Sequence, residues 1–213
     1  MVNLSAELST FAATGAPDAR RLFAAAGIER TAACVRWVWE EQEARGADAR
    51  FFLSRLETLW APQAPPADYA GQVLAWAEAL PEFAGPDTPQ GVAKYAFHGV
   101  LALHTACRAL FVADATDTLA HLSDGLLHLG EILDGEENPA GPAEFAGFDL
   151  DALFAGPKEP TGPHYTGEQE EQLRDLRALS DLTAGPAALA GLRDRAREVG
   201  TRRLTALRAA RNA

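Results

Sequence analysis

Apolar residues recur along most of the chain at spacings of three, four and seven, the period of an amphipathic helix. From Asp18 to about Arg45, Phe23, Ala26, Ala33 and Trp37 follow this spacing, with Cys34 and Val38 beside them. Pro17 suits the first turn of that helix and Gly46 a C-cap, while Gly27 is a point at which it could divide in two. A second segment, Ala49 to Trp60, sets Phe52, Leu53, Leu56, Leu59 and Trp60 to one side and ends before Pro62. A third, Tyr69 to Leu80, carries Val73, Trp76 and Leu80 and stops at Pro81.

The fourth segment, about Pro89 to Val112, is the most apolar, with a wide stripe of Phe97, Val100, Leu103, Cys107, Leu110 and Phe111. Lys94, His98, Thr105 and Arg108 lie roughly opposite, so they are expected on its outer side. The fifth, Thr116 to about Leu133, places Leu119, Leu122, Leu126, Leu129 and Leu133 on one face. Residues 135–167 are rich in Gly and Pro and read as a loop, with a short turn near 150–154. Two more helices are expected, about Glu168–Leu182 and Pro186–Ala210, and Leu4, Leu8 and Phe11 give residues 1–16 a weak helical period.

Five Gly-Pro pairs punctuate this layout, isoleucine occurs only at 28 and 132, and strand-like alternation never exceeds a few positions. The chain therefore reads as all-α, a helical bundle of about seven to eight helices with one long Gly/Pro-rich loop. A single domain over 1–213 is expected, with its core at 17–134, an excursion at 135–167, and a C-terminal helical pair at 168–211. That pair either packs on the core or swaps with a partner copy.

Composition narrows the setting. No apolar run approaches the roughly 18 residues of a spanning helix, which argues against a membrane protein. The start, Met1-Val2-Asn3-Leu4-Ser5, lacks the basic-then-apolar pattern of a secretory signal. Two cysteines, Cys34 and Cys107, are too few for a disulfide scaffold and suit a reducing cytoplasm. Both fall on apolar helical faces, where a thiol acts as a small hydrophobe. Only Lys94 and Lys158 among the basic residues are lysine, a bias associated with GC-rich bacterial genomes.

The net charge of −11 is unevenly placed. Residues 61–160 hold 15 acidic and 3 basic side chains, whereas 161–213 hold 7 acidic and 9 basic ones. So acidic a middle repels phosphate and excludes nucleic-acid binding through that region; it favours a basic protein surface or a cation. The C-terminal arginines Arg193, Arg195, Arg197, Arg202, Arg203, Arg208 and Arg211 scatter around their helix, and their expected role is to complement the acidic middle.

No phosphate loop, dinucleotide fingerprint, hydrolase elbow, H-E-x-x-H or C-x-x-C is present. One constellation stands out: Asp117, His121, Asp124, His128 and Glu131 fall on one line behind the leucine stripe of the fifth helix. Exposed, such a line serves as a partner-binding face. Enclosed, His121, Asp124 and His128 become candidate ligands for a divalent metal such as zinc. The two histidines are seven residues apart, about 10 Å along the axis, so they cannot share one ion unaided. His98 and His104, on the preceding helix, are candidate donors but point about 120° apart. Trp37 and Trp39, two positions apart, cannot share a face; one is expected in the core and the other half covered or open to a partner.

From Leu22 to about Asp134 the chain resembles the YjaG-type family of bacterial all-helical proteins of unknown function. The likeness is carried by Ala32-Ala33-Cys34, Arg55-Leu56 to Leu59-Trp60, Ala79-Leu80-Pro81, the small residues around Ala102–Cys107, and Thr118-Leu119-Ala120-His121. It implies a cytoplasmic helical bundle and brings no catalytic residues. The expectation is an acidic, non-enzymatic protein that binds another protein, in one concrete form an immunity-type neutraliser of a basic toxin. No cofactor is expected. The alternative is a metal-dependent or small-molecule enzyme with its site inside the bundle, and a homo-oligomer with a swapped last helix is a third reading.

Overall fold

The computed structural model describes residues 3–85, 89–110, 115–137, 162–180 and 186–212. Eight α-helices and no strand occur among them: α1 (Leu4–Thr14), α2 (Pro17–Arg36), α3 (Gly46–Trp60), α4 (Tyr69–Glu78), α5 (Ala93–Leu110), α6 (Thr116–Glu137), α7 (Pro163–Ser180) and α8 (Pro186–Arg211). This is the expected all-α bundle.

The organising element is α2. Its sequence alternates alanine with a few large side chains, and small residues let neighbouring helices close in from several sides. Ala19, Phe23, Ala25, Ile28, Thr31 and Val35 are all buried, so α2 has almost no solvent face. Helices α3, α5, α6, α7 and α8 surround it. Gly27 does not divide it: a Cβ there would meet Leu126 Cδ1 at 2.5 Å, so the glycine is where α6 crosses α2. At its C-terminus α2 widens into a π-helical stretch, Trp37–Gln42.

Both tryptophans of that stretch are buried, contrary to the expectation that only one would be. A central helix is covered on opposite sides at once. Trp37 meets Tyr95 of α5, and Trp39 packs edge-on against Phe52 of α3 and Trp76 of α4. The Trp39 indole N–H donates to Glu82 at 3.1 Å. Gly46 opens α3 instead of capping the preceding helix.

The C-terminal pair belongs to the core, not to an outer layer. Leu176, Leu179, Leu192, Ala196 and Leu207 join the same apolar cluster as Leu103 and Leu126. Helix α1 is also ordered, with Asn3 accepting from Ser5 N at 3.0 Å and Leu4, Leu8 and Phe11 buried. The loop expected over 135–167 is shorter at both ends, since α6 runs to Glu137 and α7 begins at Pro163. Asp134 sets the second boundary, its carboxylate accepting from His164 N at 2.8 Å and Tyr165 N at 3.0 Å and so satisfying donors of the first turn of α7. The turn expected near 150–154 lies outside the described residues.

Candidate partner-binding face

Helix α6 is oriented by its leucines. Leu119, Leu122, Leu126, Leu129 and Leu133 are each 1% exposed or less, and α6 packs chiefly against α7 and α5. Burying five leucines contributes about 1.5–3 kcal/mol apiece, which leaves the helix no other rotation. The opposite line therefore faces water: Asp117, His121, Asp124 and His128 are exposed and Glu131 is half-buried.

These five side chains do not converge. His121 Nδ1 lies 2.7 Å from the Asp117 carbonyl oxygen and donates to it. His128 Nδ1 donates to Glu131 Oε2 at 2.8 Å, and the His128 side chain stays 58% exposed. Asp124 sits on the wall of a shallow groove of about 720 Å³ between α1, α6 and α7, shared with Ser5, Ser9 and Gln169. Among the described residues no group of three or more His, Cys, Asp or Glu side chains is arranged to hold a metal ion.

The histidines of α5 depart from expectation. His98 is buried, not outward, because α5 is covered by α6 on that side. Its ring stands 5.3 Å from the His128 ring and 5.4 Å from Phe97, and neither ring nitrogen has a hydrogen-bond partner. Burial, with His128 and Lys94 nearby, pushes its pKa down to about 4. His104 instead faces the Phe83 ring at 6.2 Å, and burial lowers its pKa as well. The two imidazoles do serve different neighbourhoods, as their spacing implied. Cys34 and Cys107 are buried thiols pushed up by desolvation to about 11 and about 12, which makes both poor nucleophiles.

The arginines of α8 do not chiefly complement the middle of the chain. Arg193 and Arg197 reach Glu29 of α2, at 3.3 and 2.9 Å, and also pair with Glu57 of α3. Arg208 pairs with Glu41, and Arg195 with Glu171 and Asp175. Among the described residues, Arg211 alone of these arginines approaches an acid of the middle segment, Glu136, at 3.9 Å. With the C-terminal cations committed to α2, α3 and α7, the carboxylates of Asp117 and Asp124 have no ion-pair partner among the described residues.

The most elaborate polar cluster was not anticipated. Arg30, inside the alanine-rich centre of α2, donates through Nε and Nη2 to Glu168 at 2.9 and 2.8 Å and through Nη1 to Asp175 at 2.5 Å. Arg203 adds a bond to Glu168 at 2.6 Å, and Gln172 ties Glu168 to Ser123. Arg30, Glu168, Gln172 and Asp175 are each at most 1% exposed. Burial alone would lower the Arg30 pKa, but Glu168 and Asp175 outweigh it and hold the guanidinium charged. Likewise Glu168 is held below the ordinary carboxylate range, because Arg30 and Arg203 outweigh its desolvation. The available signal was Arg30 amid small apolar residues, together with acids at 168, 171 and 175, one helical face.

Comparison with known proteins finds no matching family model, no matching curated protein and no matching solved structure.

Proposed function

We propose that this protein acts by binding another protein, and that the exposed line Asp117, His121, Asp124, His128 and Glu131 receives a basic surface of that partner. The observation that carries the reading is the combination of uncompensated carboxylates with the lack of convergence: Asp117 and Asp124 face water with no ion-pair partner among the described residues, and the hydrogen bonds of His121 and His128 stay within α6. Scattered exposed acids on a rigid helix attract a cationic partner over a Debye length and raise its association rate. Neutralising a basic toxin is the concrete form of this role. The likeness to the YjaG-type family, proposed from sequence, adds no catalytic residue to weigh against it.

The test compares the wild-type protein with a triple variant, Asp117→Asn, Asp124→Asn and Glu131→Gln, as bait in the source lysate at low salt. The reading requires a basic protein retained by the wild type, released by salt and retained at least about tenfold less by the variant, with the loss in association rate. A partner held equally by both baits overturns the assignment of the face. No retained protein at low salt overturns the binding role itself.

A further inference from the structure

A cavity of about 350 Å³ lies where α2, α5, α6 and the connection after α3 meet. Its walls are apolar: Ala24 of α2, Ala109 and Leu110 of α5, Leu119 of α6, and Pro65 of the connection. At roughly 30 Å³ per water-sized group, it has room for about ten non-hydrogen atoms. Two guanidinium groups stand at its rim, and they are in different states.

Arg21 is fully committed. It donates to the carbonyl oxygens of Leu59 and Ala61, the second at 2.7 Å, and pairs with Asp18 at 3.1 Å. These bonds neutralise Asp18 and pin the connection that forms the cavity's outer wall. Arg20 is half-buried and uncommitted: its side chain makes no hydrogen bond and no ion pair among the described residues. A rim guanidinium with no carboxylate of its own is available to a charged acceptor whose apolar part occupies the cavity. The first turn of α2 adds to this, because Ala16 supplies no side-chain cap and the helix N-terminus favours negative charge.

We propose that this cavity binds a compact monocarboxylate with an apolar tail, the carboxylate accepting from Arg20 and the tail lying against Ala24, Ala109, Leu110 and Leu119. Such a ligand satisfies both halves of the site. A neutral amphiphile leaves Arg20 without a charged partner, and a bare inorganic anion leaves the apolar wall wet. The site is separate from the α6 face, so neither reading depends on the other.

Sodium octanoate, with ten non-hydrogen atoms in its anion, is the probe, titrated calorimetrically and by methyl NMR against the full chain. Saturable binding is expected with shifts at Ala24, Ala109, Leu110 and Leu119. 1-Octanol should bind at least about tenfold more weakly, since a charge-assisted bond to Arg20 is lost. Arg20→Met should weaken octanoate by a similar factor without altering the unfolding transition. Ala64→Trp, at the exposed edge of the cavity, should abolish binding by filling it, again with cooperative unfolding retained. The proposal is overturned by an absence of saturable binding at millimolar octanoate, by equal affinity for octanol, by an unaffected Arg20→Met variant, or by shifts confined to another surface.

Discussion

Arg30→Met is the sharpest perturbation of the fold. The substitution keeps most of the side-chain volume and removes three charge-assisted donors from the centre of the molecule. Glu168 then retains Arg203 and Gln172, and Asp175 retains only Arg195, whose side chain is 33% exposed. Two carboxylates at most 1% exposed would share what remains of the positive charge. Breaking a buried pair by removing one partner costs about 3–5 kcal/mol, and the bidentate geometry here places the expectation in the upper half of that range. In a chain with ordinary stability this is a large fraction of the total. Urea unfolding followed by tryptophan fluorescence reads the change as a lower midpoint at constant slope. The exposed pair Arg202–Glu198 provides the contrast, since Arg202→Met should cost no more than about 0.5 kcal/mol. Replacing Arg30, Glu168, Asp175 and Arg203 together by Met, Leu, Leu and Met should recover much of the loss, because Arg195 keeps Glu171 and no buried charge is then stranded. A cost below about 1 kcal/mol for Arg30→Met alone, or a quadruple variant worse than the single one, would refute the account of this network as a charge-compensated core.

Other consequences are equally direct. His98 is buried with its pKa near 4, against an ordinary value of 6.5, so the unfolded chain binds its proton more readily than the folded one. Its contribution is therefore present above pH 6.5 and is lost as pH falls toward 4, by up to about 3 kcal/mol. Unfolding measured from pH 8 to 4 should show His98→Leu gaining on the wild type only below pH 6.5; a difference independent of pH would contradict the assignment. Gly130 and Gly125 should respond oppositely to alanine. A Cβ at Gly130 would sit 2.9 Å from the Tyr165 backbone and push α7 off its Asp134 cap, at a cost of about 1–3 kcal/mol, whereas at Gly125 nothing lies within 4 Å. Gly125→Ala should therefore stabilise α6 by up to about 1 kcal/mol, and thermal unfolding shifted in the same direction by both variants would count against the close approach of α7 to Gly130.

Local pattern determined the helices. Proline and glycine positions and the three-to-four residue period located most of α2 to α6, and the leucines of α6 alone set which way Asp117, His121, Asp124 and His128 face, because amphipathic burial is a one-helix property. Tertiary structure decided what depends on neighbours. Whether His98 is outward or enclosed turns on α6 lying over it. Whether Trp37 and Trp39 are both buried turns on α2 being wrapped from all sides. Where the C-terminal arginines find their acids turns on α8 lying chiefly along α2, which brings Arg193 and Arg197 to Glu29. Charge–charge pairing across more than a hundred residues leaves no periodic trace in sequence, since either partner alone reads as a solvated side chain. Only packing the helices together brought Arg30 to Glu168 and Asp175, and set Arg20 beside an apolar cavity.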